Sequence, residues 1–156
     1  MKSPSLQIGN QLFNWGARTV VMGILNVTPD SFSGDGLMSN GGMVEHAVYQ
    51  ADHFLKQHVD ILDVGGESTR PGSKAVAADE ELERVIPVIQ ALHTNFPETL
   101  ISIDTYKAKV AEAGFKAGAH ILNDVWALRA DPELASVAKK FNVPVILMHN
   151  RSNPAT

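Results

Sequence analysis

The chain has 156 residues, enough for one domain with a real core, and its 44% hydrophobic and 19% charged content is ordinary for a globular protein. A net charge of −4, with Lys and Arg scattered, argues against nucleic acid as a partner, and zero cysteines exclude disulfides and thiolate metal sites. Behind Met1-Lys2-Ser3-Pro4 there is no apolar leader, and no run approaches the ~18 apolar residues of a membrane span, so a cytoplasmic protein with no membrane partner is expected.

In chain order, Leu6 to Phe13 alternates apolar and polar residues around Gly9-Asn10, which predicts a small hairpin. Val20-Val21-Met22-Gly23-Ile24-Leu25 is a near-continuous apolar run, the pattern of a strand buried on both faces. At Asn26 the run turns into a polar loop, Thr28-Pro29-Asp30-Ser31-Phe32-Ser33-Gly34-Asp35-Gly36. Pro29 stiffens that loop and its glycines permit turns, a construction more elaborate than a connection needs. Val44, Ala47, Val48, Ala51, Phe54 and Leu55 then recur at helical spacing.

Val59 to Val64 predicts a second strand, opening into Gly65-Gly66-Glu67-Ser68-Thr69-Arg70-Pro71-Gly72-Ser73. Asp79 is placed to cap a helix with the apolar face Leu82, Val85, Ile86, Ile89 and Leu92, which Pro87 should kink. Leu100 to Asp104 predicts a third strand, Lys107 to Ala117 a short helix, and Ala119 to Val125 a fourth strand. Asp131-Pro132-Glu133 is a helix start, and Val143 to His149 a fifth strand.

Strands alternating with helices imply a parallel α/β sheet, and both a doubly wound sheet and a (β/α)8 barrel begin this way. The barrel is favoured because each strand carries polar residues at its C-terminal end: Asn26, Asp63, Asp104, Asn123 with Asp124, and His149. A full barrel needs about 250 residues. Residues 1–156, with about five strands and four helices, are therefore expected to be the N-terminal part of one barrel domain.

Plainer roles compete at these positions. Asp104-Thr105 could cap the following helix, Asn123-Asp124 could be turn chemistry, and Arg70 could be a solvated loop charge. Asp63 reads as a hydrogen-bonded structural acid pointing into the barrel, His149 alone as a structural histidine, and His46, His53 and His58 as surface residues. No phosphate-loop, dinucleotide, nucleophile-elbow or His-Glu-x-x-His motif is present.

The runs Gly23 to Ser33 and Asp63 to Gly72 closely resemble the two signature stretches of dihydropteroate synthase. Ser102-Ile103-Asp104-Thr105, Asn123-Asp124-Val125 and Leu147-Met148-His149 resemble its later strands. The resemblance implies a TIM barrel of folate biosynthesis that condenses 6-hydroxymethyl-7,8-dihydropterin diphosphate with 4-aminobenzoate, releasing diphosphate. It implies that Asn26 ligates a Mg2+ holding the diphosphate, that Asp104 and Asn123 hydrogen-bond the pterin and Met148 packs on it, and that Thr69 contacts the diphosphate. Pro71 would lie beside the aminobenzoate, and Asp35 and Arg70 would order the closed loops, 28–36 and 67–74, in catalysis. The metal would neutralise charge on the departing diphosphate, an acidic loop would stabilise the methylene cation left behind, and no protein nucleophile is required.

Two departures stand out. The commonest family loop reads Ser-Asp-Gly-Gly where this chain reads Ser33-Gly34-Asp35-Gly36. The family's later Asp, Ser-x-Lys and Arg-x-His are not in the chain, so activity is not expected of it alone. The full-length protein is expected to be a homodimer. The nearest alternatives are the pterin-binding domain of a methyltetrahydrofolate methyltransferase, on the same barrel, and a non-catalytic pterin-binding fragment.

Overall fold

The computed structural model describes residues 4–28, 40–68 and 75–149, the side chains of residues 40 and 41 excepted. Asp35, Thr69, Arg70 and Pro71, and most of both signature loops, lie outside the described residues.

An antiparallel hairpin comes first, β1 (Ser5–Ile8) and β2 (Gln11–Asn14), turned by Gly9-Asn10 with Gly9 at φ 55°. A positive φ of that size is cheap for glycine, which is why a two-residue connection can close here. The chain then alternates: β3 (Met22–Asn26), α1 (Asn40–Lys56), β4 (Ile61–Gly65), α2 (Ala78–Asn95), β5 (Leu100–Asp104), α3 (Ala108–Ala117), β6 (Ile121–Asp124), α4 (Leu134–Phe141) and β7 (Val145–Leu147). The last five strands form one parallel sheet in the order β3-β4-β5-β6-β7.

That order decides between the two architectures. A doubly wound sheet reverses direction at a switch point, which sends its helices to both faces. Here the strands run strictly in sequence, so right-handed crossovers place all four helices on one face. Packing agrees: Leu25, Leu62, Val64, Ile101, Ile103 and Leu122 share one core with the buried faces of all four helices. The other face carries the alternate residues, and the sheet is an arc whose concave side is a barrel interior.

A second, smaller core closes the N-terminal end of the arc. Ile8 and Phe13 of the hairpin pack on Ile61, Leu100 and Ile121, the first residues of three neighbouring strands. Asn10 and Gln11 also donate to Glu98, tying the hairpin to the turn before β5.

Several expectations are corrected. β3 is not buried on both faces: Ile24 is 56% exposed while Leu25 beside it is buried. Ile146 and Leu147 of β7 are likewise 38% and 54% exposed. Both strands are edges of the arc, so Ile24 and Ile146 on the inward face, and Leu147 on the helix side, lack the neighbours that a closed barrel supplies. The N-cap of α2 is Ala77, not Asp79; Asp79 lies in the first turn, where its charge complements the helix dipole, and pairs with Lys109. Pro87 lies inside α2, where the sequence placed it. α4 starts at Leu134, after a turn in which Asp131 accepts from the Glu133 amide (2.9 Å). His46 is half-buried, whereas His53 and His58 are exposed as expected.

Candidate functional site

The parallel register sets Asn26 beside Gly65, Gly65 beside Asp104, and Asp104 beside Asn123, one row across the C-terminal ends of four strands. Residues paired across a sheet point to the same face. Three polar side chains therefore line the concave face, and Gly65 leaves a gap between Asn26 and Asp104. The Asp104 carboxyl leans over that gap: a Cβ added at Gly65 would lie 3.3 Å from its Oδ2. In the row below stand Ile24, Asp63, Ser102 and Ile121.

Asp104 does not cap α3. The first amide of that helix, Ala108 N–H, donates instead to Asp131 Oδ2 (2.8 Å), and Lys107 N–H to Thr105 Oγ1 (3.2 Å). Among the described residues the Asp104 carboxyl has no hydrogen-bond donor. Burial, and then the carboxylates of Asp63, Glu81, Asp124 and Glu67, push its pKa up to about 7. A carboxyl released from structural duty and held near neutrality at a strand end can take either hydrogen-bonding role toward a ligand.

The adjacent pair Asn123-Asp124 divides the two roles proposed for it. Asp124, fully buried on the helix face, accepts from Trp126 N–H (2.8 Å) and Leu128 N–H (2.5 Å) and so builds the turn after β6. Asn123 faces the concave side, where its Nδ2 donates to Asp63 Oδ2 at 3.0 Å. Asp63 is the buried, hydrogen-bonded acid that the sequence suggested. Burial raises its pKa, and Ser102 and Asn123 partly offset that. Ser102 lies across from it in register, but Ser102 Oγ and Asp63 Oδ1 make no hydrogen bond of good geometry. Met148 is exposed beyond β7, held by its amide to Asp124 O (3.2 Å). His149, expected to be structural, is exposed at the same open edge.

Sequence reasoning missed a charge cluster behind this row. Lys107 bridges Glu67, just past β4, and Glu81 in the first turn of α2. Tyr106 OH also donates to Glu67 (2.9 Å), and Arg84 Nη1 to Gly66 O (2.8 Å). Burial alone would depress the Lys107 pKa, but hydrogen bonds and charge from the two glutamates outweigh it and raise it. The cluster fastens the exits of β4 and β5 to α2, so the backbone leading into the second signature loop starts from a fixed point. Gly66 belongs to the same close fit, because a Cβ there would meet Val85 Cγ1 at 2.7 Å. The one available signal was that Glu67 sits inside the signature and Lys107 directly follows the strand bearing Asp104.

Among the described residues no group of three or more His, Cys, Asp or Glu side chains could hold a metal, and no helix is long and apolar enough to cross a membrane. Asn26 offers a single hard oxygen at the exposed end of β3. One protein oxygen, completed by phosphate oxygens and water, suits Mg2+, which keeps several waters and seldom takes an all-protein cage.

Comparison with known proteins places the fold in a family. A family profile described as pterin binding enzyme matches residues 22–156. Dihydropteroate synthase of Clostridium beijerinckii is 49% identical over 148 residues, covering 95% of this chain and 54% of that protein. The solved dihydropteroate synthase of Xanthomonas albilineans with 4-aminobenzoic acid is 44% identical with a TM-score of 0.86, covering 96% of this chain and 53% of that one. That of Clostridium difficile, solved in the presence of pteroic acid, is 50% identical with a TM-score of 0.83, covering 90% and 52%. The chain spans about half the length of the curated relatives it matches. Its five parallel strands and four helices are part of an α/β barrel, and the chain belongs to the pterin-binding enzyme family.

Proposed function

We propose that the chain supplies the N-terminal half of a dihydropteroate synthase barrel, joining 6-hydroxymethyl-7,8-dihydropterin diphosphate to 4-aminobenzoate. The observation that carries this reading is the row Asn26, Gly65, Asp104 and Asn123 on the concave face. A carboxyl near neutrality and an amide on rigid strand ends can hydrogen-bond a flat ring that presents neighbouring donors and acceptors. The gap over Gly65, between Asn26 and Asp104, leaves room for a ligand beside the Asp104 carboxyl. In relatives' solved structures the bound molecules include 4-aminobenzoic acid and 7,8-dihydropteroate, which is the chemistry proposed here.

Asn26, at the rim beside this row, would hold a Mg2+ against the diphosphate; when bound, that ion neutralises charge on the leaving group. Asp104 and Asn123 orient the ring. The bond from the pterin methylene carbon to the diphosphate oxygen breaks, the aminobenzoate nitrogen bonds to that carbon, and its proton passes to solvent. Thr69, Arg70, Pro71 and Asp35 would contact the diphosphate and aminobenzoate and close the site, with Met148 against the ring. The setting is cytoplasmic, and the full-length protein a homodimer. The Thr28 to Phe32 and Glu67 to Gly72 runs favour the synthase over the methyltransferase.

Calorimetry with 6-hydroxymethylpterin tests the reading on a completed barrel, this chain joined to the C-terminal half of the Clostridium beijerinckii synthase. Saturable binding, lost in an Asp104→Ala/Asn123→Ala variant, is expected. Binding that survives both changes would contradict it.

A further inference from the structure

The Asn123 amide has two faces, and Asp63 chooses between them. Asp63 is 2% exposed, and its Oδ2 lies 3.0 Å from Asn123 Nδ2. A carboxylate can only accept, so the amide nitrogen has to turn toward it; the reversed amide would set two oxygens against each other. The same repulsion selects which proton is shared. The N–H lying on the Oδ1 side would carry Oδ1 toward the carboxylate, so the opposite N–H makes the bond. Asn123 is left with Oδ1 and one N–H side by side, and Oδ1 makes no hydrogen bond among the described residues.

We infer that Asp63 is a positioning residue that fixes the turn of the Asn123 amide, and through it the order of acceptor and donor offered to the pterin ring. The inference rests on the pterin reading above. A ring nitrogen acceptor beside an exocyclic amine, as at the 2-amino edge of a pterin, complements such an amide. A 2-oxo ring presents an N–H donor beside a carbonyl, the reverse order. Asp63 therefore acts on selectivity without touching the ring.

In the completed barrel, Asp63→Asn keeps the shape but lets residue 63 either donate or accept, so the amide at 123 is free to turn over. Affinities of wild type and Asp63→Asn for 2-amino-4-oxopteridine and 2,4-dioxopteridine should show the preference for the 2-amino ring falling tenfold or more in the variant. Ser102→Ala, a change in the same row that leaves the Asp63–Asn123 bond alone, should keep the wild-type preference. A merely structural Asp63 would weaken both rings equally, and an unchanged ratio would overturn the inference.

The second readout is the Asn123 side-chain amide by NMR. One downfield, slowly exchanging proton in the wild type, lost in Asp63→Asn, supports the inference; a freely exchanging amide in the wild type overturns it. Failure of both rings to bind the wild type would sink the pterin reading instead, while the amide signal still decides what orients Asn123.

Discussion

Replacing Asp104 by Asn separates what this residue does for a ligand from what it costs the fold. Its pKa stands near 7 because burial and four neighbouring carboxylates disfavour the charged form. In the unfolded chain the group titrates near 3.9, so between about pH 4 and 7 the native state holds a proton that the unfolded state has released. Stability therefore falls as pH rises through that window, with a limiting slope of about 1.4 kcal/mol per pH unit, and levels off above it. Three units would amount to about 4 kcal/mol; solvent at the open strand end screens part of this, and about 2 kcal/mol is the expected effect. Asn fills the same space and does not titrate. In the completed barrel, urea unfolding followed by fluorescence should find Asp104→Asn close to wild type at pH 4 and about 2 kcal/mol more stable at pH 8. Calorimetry should find its pterin binding abolished. A variant less stable than wild type at pH 8, or with unchanged pterin affinity, would refute the reasoning.

Lys107→Met should cost about 3–5 kcal/mol in the same unfolding assay, because it strands the carboxylate of Glu81, 1% exposed; Lys107→Met/Glu81→Leu should regain most of it. A double variant no better than the single one would remove the cluster's role. Asn26→Ala should weaken Mg2+-dependent binding of the pterin diphosphate at least tenfold and spare the ring without diphosphate; equal weakening of both ligands would make Asn26 a wall of the pocket. Gly66→Ala forces a Cβ against Val85 and Glu81, and overpacking of that kind costs about 1–3 kcal/mol, seen as a lower urea midpoint.

The strand order and helix faces were legible because buried strands read as apolar runs and helices as a 3.6-residue period. β3 shows where that signal ends: Ile24 has the composition of a doubly buried position, but it stands on an edge strand and is 56% exposed. At Asn123-Asp124 the sequence left turn chemistry and a ligand contact both open, and only the register with β5 shows that Asn123 points inward while Asp124 builds the turn. Glu67, Glu81 and Lys107 come from three segments up to 40 positions apart, and no local period signals their meeting. Asp131 was legible as a helix start but not as the partner of Ala108 N–H, a contact made only once α3 and α4 pack side by side.

The central claim is that these five strands are half of a synthase barrel. Val21, Ile24, Ile146, Leu147 and Met148 stand 38–56% exposed on the two edge strands and just beyond. At roughly 1.5–3 kcal/mol for full burial of each, about half is forgone, a total near 4–7 kcal/mol against a typical domain stability of about 5–15. The decisive measurement is diphosphate release from 6-hydroxymethyl-7,8-dihydropterin diphosphate and 4-aminobenzoate, with sedimentation run on the same samples. Residues 1–156 alone should be associated or partly molten and release none, whereas the completed barrel should sediment as a defined species and release it. Turnover by a monodisperse monomer of the chain alone, or a well-folded completed barrel that releases nothing, would contradict the claim.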